Sequence, residues 1–467
     1  MKKLFILGAG SSGLGAAFAL KDAKKIKTVV YEKSSKPGGL AGSFEWNDHI
    51  IDYGPHRLSP NLKRVVGAVK LIMGDRLETF YSDHGVQIGD RVFKFPPLLS
   101  QWLRFDAFIW AGRVFFSVVM SKFKFQKRAG NNFTDLMRRR FGSFFYEEVI
   151  HDMCSKVWIS PDLIDKKFAD ERFSLLKPVE IIRAFVLRAT TRNPGFVFYP
   201  TGGYQQIWNE MAKVCTKGQT TLNFESELTE TVVENNVITS ISVKDLRSNK
   251  IKIIDTIDNH ILSTIPILSL VSSMETSDKH LLAVQQLVKK IKMRSMVLFC
   301  AEFDGENTLP HRTMIFPSKD VIFNRLFEQN KYSLSTVVPG KSVIVADITC
   351  DFLDGIYRVK DDVIKSLVQD SLDQLEYLNN KPITNWHVKR IPFAYMVPDV
   401  ESRSALRNVV SAVQRIKNID LIGRFSVGEY DNSDYAIQNG FDFAEFFLSN
   451  AYKNKKFEVS EFREIVN

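Results

Sequence analysis

The residues with the clearest chemical use are three glycines near the amino terminus, Gly8, Gly10 and Gly13, which form a G-x-G-x-x-G motif. The apolar segment Lys3–Leu7 precedes them and predicts a buried strand, and Leu14–Leu20 predicts an apolar helix after them. In such a unit the glycines make a tight turn, admit a pyrophosphate to the backbone and let helix and strand pack closely. The free N–H groups at the helix start attract phosphate. The segment therefore predicts a dinucleotide site.

A second strand, Lys27–Tyr31, ends at Glu32, whose carboxylate can accept hydrogen bonds from ribose hydroxyls. The glycine-rich segment Lys33–Ser43 follows, and D-Y-G-P-H-R-L-S-P occupies Asp52–Pro60. This order resembles the flavoproteins with two dinucleotide-binding domains, the group of amine oxidases, protoporphyrinogen oxidases and UDP-galactopyranose mutases. In that group the segment E-K-x4-G-G-x3-S runs under the FAD pyrophosphate and ribityl chain. The resemblance therefore implies FAD as the cofactor.

The far end of the chain supplies an independent pattern. Ile419–Ile422 predicts a strand, Gly423 follows it, and Ser433–Phe447 predicts a helix with an apolar stripe. The start of that helix is expected to face an anion or the flavin carbonyl, with Asp434 as its N-cap residue. The pattern G-R-F-x4-Y-x-N-x-D resembles the mutase branch and its relatives in surface-polysaccharide gene clusters.

The resemblance assigns cofactor contacts to residues from all of these motifs and to Leu228, whose backbone is expected to touch the adenine. That residue lies in the alternating segment Glu225–Val243, which predicts a hairpin around Asn235-Asn236. The expected cofactor-binding residues are Gly8, Gly10, Ser12, Gly13, Glu32, Lys33, Gly39, Leu40, Gly54, Pro55, His56, Leu228, Gly423, Arg424, Asp434, Tyr435 and Ala436.

Two residues are candidates for a catalytic role. Gly54-Pro55-His56 resembles the G-x-H loop beside the flavin in the mutases, which implies that His56 bonds flavin N5 or O4. Arg57 would compensate negative charge on a reduced flavin. Pro55 departs from the mutase pattern, and Arg57 is closer to the oxidase branch. The alternative for His56 is a loop histidine bonded to the backbone.

Three arginines are candidates for binding an anionic substrate, Arg294, Arg325 and Arg424. A guanidinium group meets phosphate oxygens with two parallel hydrogen bonds, which suits the pyrophosphate of a nucleotide sugar. Tyr395 and Tyr430 are expected to bond phosphate or sugar. The net charge of +10 also favours an anionic partner.

Several reactions remain open at this point. With a nucleotide sugar, either the reduced flavin N5 acts as a nucleophile, as in the mutases, or the flavin takes hydride from a sugar carbon. The alternative is an oxidase or desaturase of an apolar substrate such as a porphyrinogen, carotenoid or amine, which the 36 phenylalanines favour. A non-catalytic FAD-binding protein is the third interpretation.

One apolar segment, Phe105–Phe123, approaches the length of a membrane span. Asp106, Arg113 and Lys122 interrupt it, which disfavours a transmembrane helix. The first interpretation is a buried helix of the substrate domain. The second is a peripheral membrane contact through which an apolar substrate enters.

Composition excludes other classes of protein. The four cysteines lie far apart without metal-ligand spacing, so the sequence predicts no metal site and no disulfide framework, as expected in a reducing cytosol. No signal peptide precedes the first strand, and we expect a cytoplasmic protein, with contact to the inner face of the membrane as an option. Basic stripes interleaved with aromatics are missing, so we expect no nucleic-acid partner. The oligomeric state is not predicted.

The 467 residues are too many for one core, and the cofactor motifs lie at both ends. We therefore predict an α/β fold with a discontinuous, Rossmann-like FAD domain and a substrate domain that combines a mixed sheet with a helical insert. The predicted FAD domain comprises residues 1–80, 195–280 and 395–450. The substrate domain comprises 81–194, which is largely helical, and 281–394. Residues 451–467 form a C-terminal tail.

Overall fold

The centre of the cofactor half is a parallel sheet built from distant parts of the chain. The computed structural model describes residues 1–95, 105–124, 132–173, 195–379 and 381–458. The five parallel strands lie in the order β20 (Ile419–Leu421), β13 (His260–Ser263), β1 (Lys2–Leu7), β2 (Ile26–Tyr31) and β9 (Thr220–Asn223). The first and last cofactor motifs therefore meet at one edge of this sheet, because parallel strands carry their following loops at the same end.

Two helices cross closely on this sheet, α1 (Ser11–Ala19) and α13 (Ser433–Leu448). A Cβ atom on Gly440 would lie 2.4 Å from the Ser12 carbonyl oxygen, and one on Gly15 would lie 2.9 Å from that of Ile437. Only glycine permits this approach. The crossing fixes the start of α1 relative to the start of α13.

A second layer is a mixed, mostly antiparallel sheet of seven strands. Its order is β19 (Asn385–Met396), β15 (Met293–Asp304), β18 (Lys341–Asp351), β17 (Arg325–Glu328), β16 (Thr313–Ile315), β6 (His84–Ile88) and β7 (Arg91–Phe95). Two of these strands, β6 and β7, come from the part of the chain that the sequence indicates as largely helical. They bring His84 to the sheet that carries Arg325.

Smaller strands and helices complete the fold. The remaining strands are β3 (Ser43–Trp46), β4 (His49–Asp52), β5 (Leu77–Tyr81), β8 (Phe196–Pro200), β10 (Ser226–Glu234), β11 (Val237–Asp245), β12 (Ile251–Asp255) and β14 (Met274–Thr276). The other α helices are α2 (Lys63–Met73), α3 (Phe105–Lys124), α4 (Phe133–Phe145), α5 (His151–Val157), α6 (Lys167–Phe173), α7 (Gln205–Thr216), α8 (Ile267–Ser272), α9 (Lys279–Val288), α10 (Asp361–Leu372), α11 (Val400–Gln414) and α12 (Arg424–Val427).

The predicted fold class is confirmed: a parallel sheet in several chain segments, a mixed sheet and a helical insert are all present. The hairpin of β10 and β11 turns at Asn235-Asn236, as the sequence indicates, and both residues have positive φ angles of 50° and 60°. Asn132 is the N-cap residue of helix α4, and its side chain accepts a hydrogen bond from Asp135 N at 2.8 Å. The domain boundaries themselves stay a prediction.

Two expectations differ from the structure. Helix α3 was expected to be buried, but Phe115 and Phe116 are 72% and 66% exposed. Apolar composition all around a helix does not indicate which face packs. The second concerns residues 451–467, predicted as a tail: within them Phe457 is buried against Phe443 and Phe446. Lys456 fixes this end by donating to three backbone carbonyls near β20.

Candidate active site

The first glycine turn is shaped by two glycines and left open by the third. Gly8 has a φ angle of +101°, and a Cβ atom there would lie 2.5 Å from Thr264 Oγ1. A Cβ atom on Gly13 would lie 2.1 Å from the Gly8 carbonyl oxygen. By contrast, a Cβ atom on Gly10 would meet nothing within 4 Å. Gly8 and Gly13 are therefore required by the fold, whereas Gly10 leaves open space at the uncapped start of α1, where a phosphate group can approach.

The acidic residue after β2 is held at the same turn. Glu32 Oε2 accepts a hydrogen bond from Ala9 N at 2.7 Å, and Oε1 accepts one from Ser34 N at 2.8 Å. A carboxylate has about four acceptor sites, so ribose hydroxyls can still donate to Glu32. Lys33 instead pairs with Glu227 at 2.6 Å, next to Leu228 on β10. These positions fit the adenosine end of a dinucleotide.

The second glycine segment folds back against the first. Gly38 N donates to the Ala9 carbonyl at 2.8 Å, and its φ angle is +110°. A Cβ atom on Gly38 would lie 2.4 Å from the Trp208 ring, and one on Gly39 would lie 3.4 Å from Gly10 Cα. The backbones of the two glycine segments therefore lie side by side, which is the arrangement expected where a pyrophosphate binds.

At the start of α13 the capping residue differs from the expectation. Asn432 is the N-cap residue, not Asp434. The Asp434 carboxylate accepts hydrogen bonds from Tyr435 N at 2.9 Å and from Ser59 N at 3.2 Å. It therefore ties the His56-containing loop to the start of α13. Asn and Asp are equally good N-cap residues, so the residue types alone do not distinguish Asn432 from Asp434 as the cap.

His56 is bonded to the backbone rather than projecting freely. Its Nε2 lies 2.9 Å from the Leu40 carbonyl oxygen, and its ring stacks on Tyr204 at 5.2 Å between centroids. Burial lowers the pKa of His56 to about 4, and the charges of Arg325 and Arg424 act in the same direction. The imidazole is thus neutral at pH 7. Because Nε2 donates to a carbonyl, Nδ1 carries no proton and can only accept.

Arg57 is held by a histidine that sequence reasoning missed. Its guanidinium contacts His84 Nε2. Burial and, next to it, the Arg57 charge together lower the pKa of His84 to about 3, so His84 is a neutral acceptor. His84 lies in β6, between β16 and the edge strand β7 of the mixed sheet, and no pattern in the sequence connects it to Arg57.

Arg424 packs against a pair of stacked tyrosine rings. The rings of Tyr395 and Tyr430 stack at 5.8 Å with an interplanar angle of 3°. The Arg424 guanidinium lies 4.2 Å from the Tyr430 centroid and 5.0 Å from the Tyr395 centroid. Its hydrogen bond to the Ala394 carbonyl is long, at 3.4 Å. Cation–π contact positions this arginine while leaving most of its N–H donors available.

The other two arginines predicted to bind substrate, Arg325 and Arg294, have different surroundings. Arg325 bonds to Asp347 on the neighbouring strand β18, and its charge reaches His56, His84 and Tyr332. Arg294 is engaged elsewhere, by the Asp351 carboxylate and by the Lys156 carbonyl at 3.3 Å. The structure therefore brings Arg325 and Arg424 together around His56, whereas it commits Arg294 to protein partners.

Two further residues extend the site toward the helical insert. Trp158 Nε1 donates to the Tyr430 hydroxyl at 3.0 Å, and the Arg172 guanidinium lies 4.6 Å from the Tyr430 centroid. The Trp158 side chain is buried. Arg172 was not singled out, because only its packing on Tyr430 distinguishes it from other surface arginines.

Comparison with known proteins identifies the family. The model of the flavin-containing amine oxidoreductases matches residues 11–436. The chain belongs to this family. Its cofactor is FAD, and the open turn at Gly10, the acceptor Glu32 and the glycine segment around Gly39 fit that cofactor. No curated protein sequence matches this flavoprotein.

Solved structures show the same fold at low sequence identity. A reduced UDP-galactopyranose mutase superposes with a TM-score of 0.78 at 19% identity, with 96% of each chain covered. A protein named as a candidate protoporphyrinogen oxidase from Exiguobacterium gives 0.70 at 15% identity, over 96% of this chain and 99% of that one. A putrescine oxidase bound to putrescine gives 0.58 at 14%, over 96% and 99%. The fold is therefore shared by enzymes with different substrates.

None of the helices within the described residues combines the length and the apolar character that a membrane span requires. The same residues contain no group of three or more His, Cys, Asp or Glu side chains arranged to hold a metal ion.

Proposed function

We propose that this flavoenzyme acts on a sugar linked to a nucleoside diphosphate. The proposal is supported by the cluster of Arg57, Arg325 and Arg424 around the neutral His56. Within the part of the chain that the structure describes, neither Arg57 nor Arg424 forms an ion pair with a carboxylate; their recorded acceptors are His84 and a backbone carbonyl. A partly buried cation without a counter-charge is costly, and an anionic ligand removes that cost.

Different residues of the site can contact different parts of such a ligand. Arg424 presents planar donors for the oxygens of a diphosphate, whereas Arg325 is already paired with Asp347 and can add only its remaining N–H donors. The hydroxyl groups of Tyr395 and Tyr430 can bond phosphate or sugar. FAD, when bound, supplies hydride acceptance in its oxidised form or a nucleophilic N5 in its reduced form. Arg57 places a positive charge next to the His56 loop, where it can stabilise a reduced, anionic cofactor.

The finer assignment rests on the similarity of the terminal G-R-F motif to the mutase branch. It supports a place in the synthesis of surface polysaccharides, with either mutase or sugar-oxidising chemistry. The fold similarity to the mutase does not decide between them, since oxidases share that fold.

A second candidate function is oxidation of an apolar substrate. It is favoured by the aromatic residues packed behind Tyr430, where the ring centroids of Trp158 and Phe168 lie 4.9 Å apart and those of Phe168 and Tyr430 lie 5.9 Å apart. Trp158 and Phe168 are buried, so they give this side of the site an apolar backing rather than a contact surface. The arginine cluster is not explained by an apolar ligand, and for this reason the nucleotide sugar is preferred.

The proposal is tested by the thermal stability of the FAD-loaded protein. A ligand that binds only the folded state raises the unfolding temperature, by an amount that corresponds to about 2.7 kcal/mol at a hundredfold excess over Kd. UDP is expected to stabilise the protein, whereas uridine, which lacks the diphosphate, is expected to have little effect. Equal shifts with both ligands, or no shift with UDP, would reject a site built for a nucleoside diphosphate.

A further inference from the structure

One face of helix α3 packs against the protein. Ser117 Oγ accepts a hydrogen bond from Phe144 N at 2.9 Å, and Ser121 Oγ accepts one from Ser143 N at 3.3 Å. On the same side, the Trp110 ring contacts Phe144 at 6.1 Å between centroids. Helix α4 therefore covers one side of α3 and leaves the opposite side outside the core.

The opposite face is apolar and exposed. Ile109, Phe115, Phe116 and Met120 are 47%, 72%, 66% and 49% exposed. At about 100° per residue, Ile109, Phe116 and Met120 form one stripe, and Phe115 lies beside it. We call these four residues the outer face of α3. A helix on the surface of a soluble protein normally turns charged residues to water, so an exposed phenylalanine pair indicates a contact with another apolar phase.

The charge around this face is strongly positive in the sequence. Residues 104–128 contain six basic side chains and one acidic one, and six minus one gives +5, half of the net charge of +10 of the whole chain. Arg113, on α3 itself, stacks on Phe144 at 4.3 Å and stays exposed. Exposed aromatic residues together with excess lysine and arginine are the combination that binds anionic bilayer surfaces.

We propose that the outer face of α3 docks on the surface of an anionic lipid bilayer. The helix would lie in the plane of the interface, with the two phenylalanines among the acyl chains and the exposed Arg113 near the headgroups. The helical layer that carries α4 to α6 packs against Tyr395 and Tyr430, so the docked face belongs to the part of the protein that borders the active site. The proposal does not depend on the identity of the substrate.

The test is cosedimentation of the FAD-loaded protein with vesicles. One set contains phosphatidylcholine with a minor share of phosphatidylglycerol, and the other contains phosphatidylcholine alone. The protein is expected to bind the first set, to bind the second more weakly, and to dissociate as salt is added. The variant Phe115→Ser/Phe116→Ser should bind at least about tenfold more weakly, since two exposed aromatic side chains lose their apolar contact.

The matched control is Ile251→Ser/Ile253→Ser, which removes two exposed apolar side chains, 60% and 73% exposed, from the edge strand β12. It should bind vesicles like the original protein, and the flavin absorbance of all variants reports folding. Absence of binding to the anionic vesicles, or equal binding by the phenylalanine variant, would overturn the proposal. A dimer that the phenylalanine variant abolishes, without any vesicle binding, would assign the face to a second copy of the chain and would also overturn it.

Discussion

Replacing Arg424 by alanine should weaken UDP binding while the flavin stays bound. The Arg424 guanidinium is placed by the rings of Tyr430 and Tyr395, and with the residues that the structure describes it makes one long hydrogen bond, to a backbone carbonyl. Its donors are therefore available to a diphosphate. Hydrogen bonds that involve a charged group contribute about 1.5–3 kcal/mol each, so the loss corresponds to an increase in Kd of about tenfold to 150-fold.

Isothermal titration of FAD-loaded protein with UDP measures this effect. Arg76→Ala is the matched control, because it removes one positive charge from an exposed side chain that is paired with Glu210. Its effect should stay below about twofold at physiological salt, where distant charges are screened. Arg294→Ala should also change Kd little, since Asp351 and the Lys156 carbonyl already engage Arg294. If Arg424→Ala binds UDP as the original protein does, the reasoning about the arginine cluster is refuted.

Three further predictions address the cofactor turn, a buried acid and the neighbour of Arg57. Gly10→Val should fold, because its side chain meets open space, but should lack flavin absorbance; Gly13→Ala should not fold, because its Cβ atom would lie 2.1 Å from the Gly8 carbonyl. A folded Gly10→Val protein that retains FAD would contradict the assignment of this turn. Burial raises the pKa of Asp52 to about 6, so this group favours the folded state at low pH, and its contribution is lost as pH rises from about 4 to about 6. Asp52→Asn should remove up to about 3 kcal/mol of that pH dependence in urea unfolding at pH values near 4 and 7, and an unchanged dependence would exclude Asp52 as its source. His84→Ala should weaken UDP binding about threefold to tenfold without loss of FAD, because Arg57 loses its neutral acceptor; an unchanged Kd would show that this contact does not position Arg57.

The local parts of the fold could be predicted from the sequence because short segments determine them. The strand, glycine turn and helix at residues 2–19 depend on apolar periodicity and on positions that only glycine tolerates. The hairpin at Asn235-Asn236 follows from two residues that accept positive φ angles. Of the residues predicted to bind substrate, Tyr395, Tyr430, Arg325 and Arg424 lie near one another in the structure, and their role stays a prediction.

The rest depends on contacts between elements that are distant in sequence. His84 contacts Arg57 because β6 pairs with β16 in the mixed sheet, and no periodic pattern in the sequence predicts that strand pairing. The exposure of α3 could not be predicted, since its apolar residues surround the helix. The position of Phe457 depends on a pocket formed by Phe443 and Phe446, which is created only when α13 has packed.

The measurement that tests the central claim most directly is anaerobic mixing of the enzyme with UDP-linked sugars. Flavin absorbance and sugar products are followed for the oxidised enzyme and for enzyme first reduced with dithionite. The account predicts one of two results: bleaching of the oxidised flavin by the sugar, or conversion of the sugar to an isomer only after reduction. If no UDP-linked sugar is converted in either state, while an amine or an apolar donor bleaches the flavin, the arginine cluster does not serve a nucleoside diphosphate and the proposed function is wrong.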